Sequence, residues 1–366
     1  MTVAGPLADE VHLTGRYPSE SVSAMKDARM LGAVVPVDLG GDGASVADVV
    51  DAIQTLAQYC ASTGMIYAMH CIQVTLVREH GGTPDLEKFL REVAAEQLLV
   101  ANAASEVGIG GDARRSICAF EPTENGFRVD KKALAVSYGA EADAILVNAR
   151  RTPESAPDEQ AWCIARQPLT LEPLSEWNAF GLRGTDSRGL RVIAEFDKGM
   201  VFVDNETRVL DRTGAAINNL FQCSVWLGIA EAAAGRAHAK LRQRARKDPE
   251  GASTAALRLA ELAIPLQELR DVMDSGVRRA TAVLADEEET GAPLVLAMNT
   301  LKVAASSRAL DVVHRAMVMC GIDGYRTDSD ASLGRHIADV YGALIMVNND
   351  RLLTGTSEML KVLKSI

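Results

Sequence analysis

Between Leu294 and Met319 the residues Leu294, Met298, Leu301, Ala305, Ala309, Val312, Ala316 and Met319 are apolar and recur at steps of three or four without a break. A stripe of that length fits an α-helix buried along one whole face, and it needs other helices to cover it. The covering partners follow from the punctuation. "KDPEGAS", "EEETGAP" and "CGIDGYRTDSD" cut the chain from 206 to 366 into four long helical segments joined by short loops, which predicts an antiparallel four-helix bundle.

Upstream the texture changes twice. Residues 1–97 carry helical periodicity in "SESVSAMKDARMLGAVV", "SVADVVDAIQTLAQYCASTGMIYAMHCIQVTLVREHG" and "PDLEKFLREVAAEQ", broken at "PVDLGGDGAS" and "GGTP". Residues 98–205 instead hold short β-rich runs, among them "LLVANAA", "RSICAF", "GFRVDKKALAVS", "AILVNAR", "AWCIAR" and "LRVIAEF". Their turn-rich spacing suits antiparallel sheet better than βαβ crossovers. The predicted fold class is therefore α+β: an N-terminal helical domain (1–97), a central antiparallel β domain (98–205) and a C-terminal four-helix bundle (206–366).

Charge and cysteine usage narrow the function classes. A net charge of −11 opposes binding to nucleic acid or to anionic lipid. The N-terminus has no signal-peptide pattern, and no apolar run approaches the ~18 residues that span a bilayer, so a cytoplasmic protein without membrane contact is expected. Cys60, Cys71, Cys118, Cys163, Cys223 and Cys320 show no C-x-x-C spacing. They read as reduced, buried thiols, and no metal site is expected.

Local motifs carry a family resemblance. "ASEVGIGGD" (Ala104–Asp112) resembles the Thr-Glu-Pro-x-x-Gly-Ser-Asp segment of the acyl-CoA dehydrogenase flavoprotein superfamily, with Ser105, Glu106, Gly110 and Asp112 matching in type. "KKALAVSYGAEADAILV" (Lys131–Val147) resembles the family's Lys-x-Trp-Ile-Thr/Ser segment. Ser137 stands at the flavin-bonding hydroxyl and Ala135 where a tryptophan often stacks. "WNAFGLRGTDSRGL" (Trp177–Leu190) resembles Gly-Met/Leu-Arg-Gly-Thr/Ser, a segment whose role in the family is mostly structural. "VMCGIDGYRTDSDASLGRHIAD" keeps Gly321, Gly324 and Tyr325 of the Gln-x-x-Gly-Gly-x-Gly-Tyr segment, with Val318 and Ile322 departing from it. Counting from Gly228 places Arg244 at a diphosphate-binding arginine, with Arg246 close by.

The resemblance implies FAD, held by Asn102, Ala104, Ser105, Gly110, Ala135, Ser137, Arg244, Gly321 and Thr356, in a homotetramer. It implies desaturation of an acyl thioester, on CoA or an acyl carrier protein, with an electron-transfer flavoprotein or oxygen as acceptor. The tail "RLLTGTSEML" then resembles the family's Tyr-Glu-Gly-Thr-Ser, whose glutamate removes the α-proton; here that position is Thr354. An unactivated hydroxyl is no such base. The family's alternative glutamate position, on the first bundle helix, holds Asn218 and Asn219.

Three readings stay open at this level. A base is supplied from elsewhere, with Glu106, Asp112, Glu231, Asp350 or Tyr138 as candidates; or the protein is a flavin-dependent monooxygenase, which needs no carboxylate; or it is a non-catalytic homologue. Asn348, Asn349 and Asp350 are polar where an apolar helix should end, and so are further candidates for the site. His70 and His336 read as core imidazoles.

Overall fold

Helices α1 (Ala4–Thr14), α2 (Ser19–Asp27), α3 (Val46–Tyr59), α4 (Ala61–His80) and α5 (Pro84–Glu96) open the chain. The structure is a computed structural model describing residues 1–109, 112, 114–166, 169–205, 208–247, 252–288 and 290–361. The start of α3 is set by a capping box: Ser45 Oγ accepts from Asp48 N–H, and the Asp48 carboxylate accepts from Ser45 N–H. Thr83 caps α5 in the same sense, with Pro84 in the first turn. Helix α4 is buried on nearly every side, so it is the axis on which the other elements pack.

His70 on α4 ties that axis to both neighbours. Its Nε2 donates to Leu31 O at 2.8 Å, and its Nδ1 accepts from Val100 N–H at 3.1 Å. Burial lowers its pKa from 6.5 to about 4, and burial also pushes His336 well down. As pH falls through 6.5 the unfolded imidazoles take up protons that the folded ones refuse, so stability is lost on acidification. For His70 alone the loss between pH 7.5 and pH 5 is about 2 kcal/mol. Asp339, raised to about 6 chiefly by burial, works the other way over part of that window and offsets some of it. Urea denaturation at the two pH values is expected to give the lower stability at pH 5. A flat profile would contradict neutral, buried imidazoles.

The central domain contains β1 (Val100–Ala103), β2 (Glu121–Pro122), β3 (Gly126–Ala133), β4 (Ala144–Arg150), β5 (Gln160–Arg166), β6 (Thr170–Pro173) and β7 (Leu190–Asp197). They form two sheets, ordered β1-β4-β5 and β2-β3-β7-β6. All pairings are antiparallel except β1 with β4, which is parallel, in register Val100↔Ala144 to Ala103↔Val147. That pair departs from the all-antiparallel expectation. The long β1–β4 connection, which contains β2 and β3, returns the chain to the same end of the sheet.

A π-helical turn, Val209–Gly214, leads into the bundle. The bundle comprises α6 (Ala215–Lys247), α7 (Ala252–Leu284), α8 (Ala292–Cys320), the single turn α9 (Ile322–Tyr325), α10 (Gly334–Ile345) and α11 (Asn349–Leu360). Every residue of the predicted Leu294–Met319 stripe is buried, against α6, α7 and α10. Among the described residues no helix is long and apolar enough to cross a membrane, and no three His, Cys, Asp or Glu side chains gather as a metal site. All six cysteines are free thiols, with Cys118 half-buried and the others buried.

Candidate active site

The end of β1 and the turn after β3 bring five of the predicted flavin residues together. Asn102 Oδ1 accepts from Ala104 N–H at 2.6 Å, and Asn102 Nδ2 donates to Gln73 Oε1 at 2.8 Å, which anchors the strand end to α4. Ser105 Oγ donates to Ala135 O and accepts from Ala135 N–H, both at 3.0 Å. Leu134 and Ala135 are exposed, whereas Ser137 is buried beside them. The result is a small apolar ledge, Leu134 and Ala135, with the Ser105 and Ser137 hydroxyls beside it.

The segment 182–188 closes against that turn. Val136 N–H donates to Arg188 O at 2.9 Å and Tyr138 N–H to Thr185 O at 2.7 Å. A chain of hydroxyls runs between the two segments: Ser137 Oγ lies 2.7 Å from Ser187 Oγ, which lies 2.8 Å from Thr185 Oγ1, which donates to Leu182 O at 2.9 Å. Tyr138, Leu182 and Asp186 all have left-handed backbones, with φ of 44°, 50° and 44°. Such conformations cost energy in non-glycine residues and persist where the surroundings enforce them. Here the enforcement includes Asp339 on α10, whose Oδ1 accepts from Leu182 N–H at 2.7 Å, and Arg183, which donates to His12 O and Leu13 O at the end of α1.

Beneath the ledge lies a buried ion pair. Lys131 Nζ donates to Asn148 O at 2.6 Å and to Asn148 Oδ1 at 2.8 Å, approaches Ala104 O at 3.4 Å, and sits 3.9 Å from Glu106 Oε2. Burial pulls the lysine pKa down to about 8, and Glu106 opposes that pull. Glu106 in turn accepts from Ser116 Oγ, Ile117 N–H and Cys118 N–H.

The carboxylates named as replacement bases are thus accounted for. Glu106 is a committed acceptor in the protein interior. Glu231 holds Arg270, Gln54 and Gln58. Tyr138 is fully buried, donates to Val100 O at 3.0 Å and has its pKa pushed well up by burial. Asp112 accepts from Arg114 N–H, and Asp350 stands exposed in the first turn of α11. Asn219 is buried, with Nδ2 donating to Met298 O and Oδ1 without a partner; Asn218 accepts from Gln222.

Of the remaining predicted residues, Arg244, Gly321 and Thr356 belong to the bundle. Gly110 falls outside the described residues. Arg244 and Gly321 do meet: Arg244 donates to Met319 O at 3.0 Å and Cys320 O at 2.9 Å, capping the end of α8, where Gly321 turns the chain at φ 64°, ψ −140°. The tail stretch that resembles the family's Tyr-Glu-Gly-Thr-Ser forms the body of helix α11. Thr354 donates to Asp350 O of its own helix, Gly355 has open space around it, and Thr356 Oγ1 accepts from Asn299 Nδ2 at 3.4 Å. Among the described residues no hydrogen bond or ion pair links α11 to the ledge.

Four polar residues of this region escaped the sequence reading. Lys131 shares strand parity with buried Val129 and Ala133, a signal that it points inward. Lys302 follows Met298 by four on the buried stripe of α8; it is buried, donates to Asn349 Oδ1 at 2.6 Å, and is lowered to about 8 chiefly by burial. Asp339 sits among apolar helical positions. Ser187 had no local signal, because its role depends on a residue fifty positions away.

Against known proteins, residues 2–97 match the model of the acyl-CoA dehydrogenase N-terminal domain and residues 215–361 that of the acyl-CoA dehydrogenase C-terminal domain. The chain is 24% identical over 341 residues to the short-chain-specific acyl-CoA dehydrogenase of Clostridium acetobutylicum, covering 88% of this chain and 85% of that one. It is 25% identical over 340 residues to the dibenzothiophene monooxygenase of Mycolicibacterium goodii, covering 85% and 80%. The crystal structure of FMN-bound TdsC from Paenibacillus sp. A11-2 superposes with a TM-score of 0.84 at 17% identity, covering 98% and 94%.

Proposed function

This chain belongs to the acyl-CoA dehydrogenase superfamily, and from that premise we propose that it is a flavin-dependent oxidoreductase working as a monooxygenase. The observation that carries the reading is the state of the carboxylates. Glu106 is engaged inside the protein, half-buried Glu231 is held by Arg270, Gln54 and Gln58, Asp112 accepts from Arg114 N–H, Asp350 stands on exposed α11, and the positions that the resemblance assigns to a base hold a threonine and asparagines. Removal of an α-proton needs a base near neutral pKa within hydrogen-bond reach of the substrate. Oxygen transfer has no such requirement, and the likeness to a dibenzothiophene monooxygenase and to an FMN-bound structure supports it.

When bound, a reduced flavin supplies two electrons to dioxygen, one atom of which enters the substrate while the other leaves as water. The chain's own residues would bind and orient it: exposed Leu134 and Ala135 would offer apolar contact, Ser105 and Ser137 would offer hydroxyls, and Asn102 with Gln73 holds the strand end in place. The diphosphate partner expected for FAD, Arg244, is engaged by carbonyls of its own chain, which favours FMN over FAD. Exposed Val318, Ile322 and Tyr325 beside Gly321 suit burial by further copies of the chain, in keeping with a homotetramer.

A specific observation keeps desaturation as the second reading. Lys302 is buried at the junction of α8 and α11, donates to Asn349 Oδ1, and has its pKa lowered to about 8 chiefly by burial, so it sheds its proton more readily than an ordinary lysine. In that case the substrate is an acyl thioester and the acceptor an electron-transfer flavoprotein. Anaerobic mixing of the flavin-loaded protein with a panel of acyl-CoA thioesters separates the two. No bleaching of the flavin is expected, whereas turnover with reduced FMN and labelled oxygen is expected to put label into product. Rapid bleaching by any acyl thioester would replace the first reading with the second.

A further inference from the structure

Helix α8 carries a buried cation whose donors are mostly unused. An ammonium group has three protons to donate. Among the described residues Lys302 Nζ has one acceptor, Asn349 Oδ1 at 2.6 Å, and no carboxylate within ion-pair distance. Lys131, the other buried lysine described above, has both oxygens of Asn148 and the Glu106 carboxylate beside it. A charge held in the interior without a counter-charge costs stability, and burial accordingly lowers the Lys302 pKa to about 8.

A second unmet group faces the same stretch of α8. Asn219 on α6 donates through Nδ2 to Met298 O at 3.3 Å, which fixes the orientation of its amide and leaves buried Oδ1 without a partner. Met298 stands one helical turn before Lys302. The cover is α11. Asn349 Nδ2 donates to Ser306 Oγ at 3.0 Å and Thr356 Oγ1 accepts from Asn299 Nδ2 at 3.4 Å, so polar side chains hold α11 on α8, and among the described residues none of α11 is buried. A helix seated this lightly opens at little cost and admits a small molecule.

We infer that Lys302 and Asn219 form a binding site, between α6, α8 and α11, for a small organic carboxylate that carries a hydroxyl. The carboxylate takes the ammonium protons that Asn349 leaves unused, and the hydroxyl donates to Asn219 Oδ1. Both unmet groups are satisfied by one molecule, and the buried cation gains the counter-charge it lacks. The site stands on these side chains alone and does not depend on the flavin reading above. It requires Lys302 to keep its proton, because a neutral amine offers the carboxylate no charge.

The test is calorimetric titration of the full chain with butyrate, 3-hydroxybutyrate and butanol, on the wild type, Lys302→Met and Asn219→Leu. The wild type is expected to bind both carboxylates, the hydroxylated one about fivefold more tightly, and not to bind butanol. Lys302→Met is expected to weaken both carboxylates about tenfold or more, yet to unfold in urea no more readily than the wild type, because it removes a buried charge that has no partner. Asn219→Leu is expected to keep butyrate binding and lose the preference for the hydroxyl. On the wild type, carboxylate affinity is expected to fall about tenfold from pH 7 to pH 9 as the ammonium discharges. The other titratable groups facing Lys302 are the Cys223 thiol of α6, pushed up to about 12 by burial, and the Arg351 guanidinium of α11, and neither changes charge over that range. Should Lys302→Met fail to fold, the wild-type pH profile decides, and a flat one overturns the inference. Absence of carboxylate binding by the wild type, a Lys302→Met variant that binds butyrate as the wild type does, or a hydroxyl preference that survives in Asn219→Leu would also overturn it, and each would leave the flavin reading untouched.

Discussion

Replacing Lys131 by methionine is expected to cost about 4 kcal/mol of stability, because it strands a charge that the interior otherwise balances. The lysine is fully buried and donates to both oxygens of Asn148, with Glu106 at 3.9 Å. Methionine fills much the same volume, so the loss is electrostatic rather than a cavity. Glu106 keeps its three donors from Ser116, Ile117 and Cys118 but loses the only cation within ion-pair distance among the described residues. Because Ala104 and Ser105 lie between β1 and Glu106, flavin affinity is expected to fall with stability. The double variant Lys131→Met with Glu106→Gln removes both charges and is expected to recover about half of the loss. Urea denaturation of the two variants checks this. A loss below about 1 kcal/mol in the single variant would show that the pair does not hold the ledge in place.

Gly181→Ala is expected to destabilise by about 3 kcal/mol, through a different mechanism. A β-carbon at Gly181 would lie 2.0 Å from Ala338 O, 2.4 Å from its carbonyl carbon and 2.7 Å from Asp339 Cα. All three atoms are backbone, so no rotamer change relieves the contact. The clash would part the 182–188 segment from α10 and stretch the bond from Leu182 N–H to Asp339. The variant is therefore expected to lose flavin affinity as well as stability. Unchanged denaturation with unchanged flavin binding would mean that α10 does not position the hydroxyl chain.

These two residues illustrate different degrees of legibility. Gly181 belongs to a motif whose consecutive residues were recognisable, and its role as a structural contact agrees with the close approach of α10. Lys131 was quoted within a motif yet unassigned, although its parity with Val129 and Ala133 marks it as inward-facing. The tail stretch resembles the family's motif in its Gly-Thr-Ser spelling, and the helical run from Asn349 to Leu360 leaves Gly355 and Ser357 exposed and Thr356 half-buried. Asn348, a polar oddity in the sequence, is the N-cap of that helix, accepting from the amides of Asp350 and Arg351.

The sequence by itself determined the order of helical block, β domain and bundle, and the buried stripe of α8. Through the family resemblance it also placed Thr354, and Asn218 with Asn219, where a glutamate base is expected. Those are matters of period and residue type, which neighbours along the chain decide. Which polar groups remain available came from tertiary contacts alone: Glu106 is held by Ser116 to Cys118 and Lys131, Glu231 by side chains of α3 and α7, and Ser137 Oγ is hydrogen-bonded to Ser187 Oγ. Availability depends on partners tens or hundreds of residues away, which no local pattern of residue types reveals.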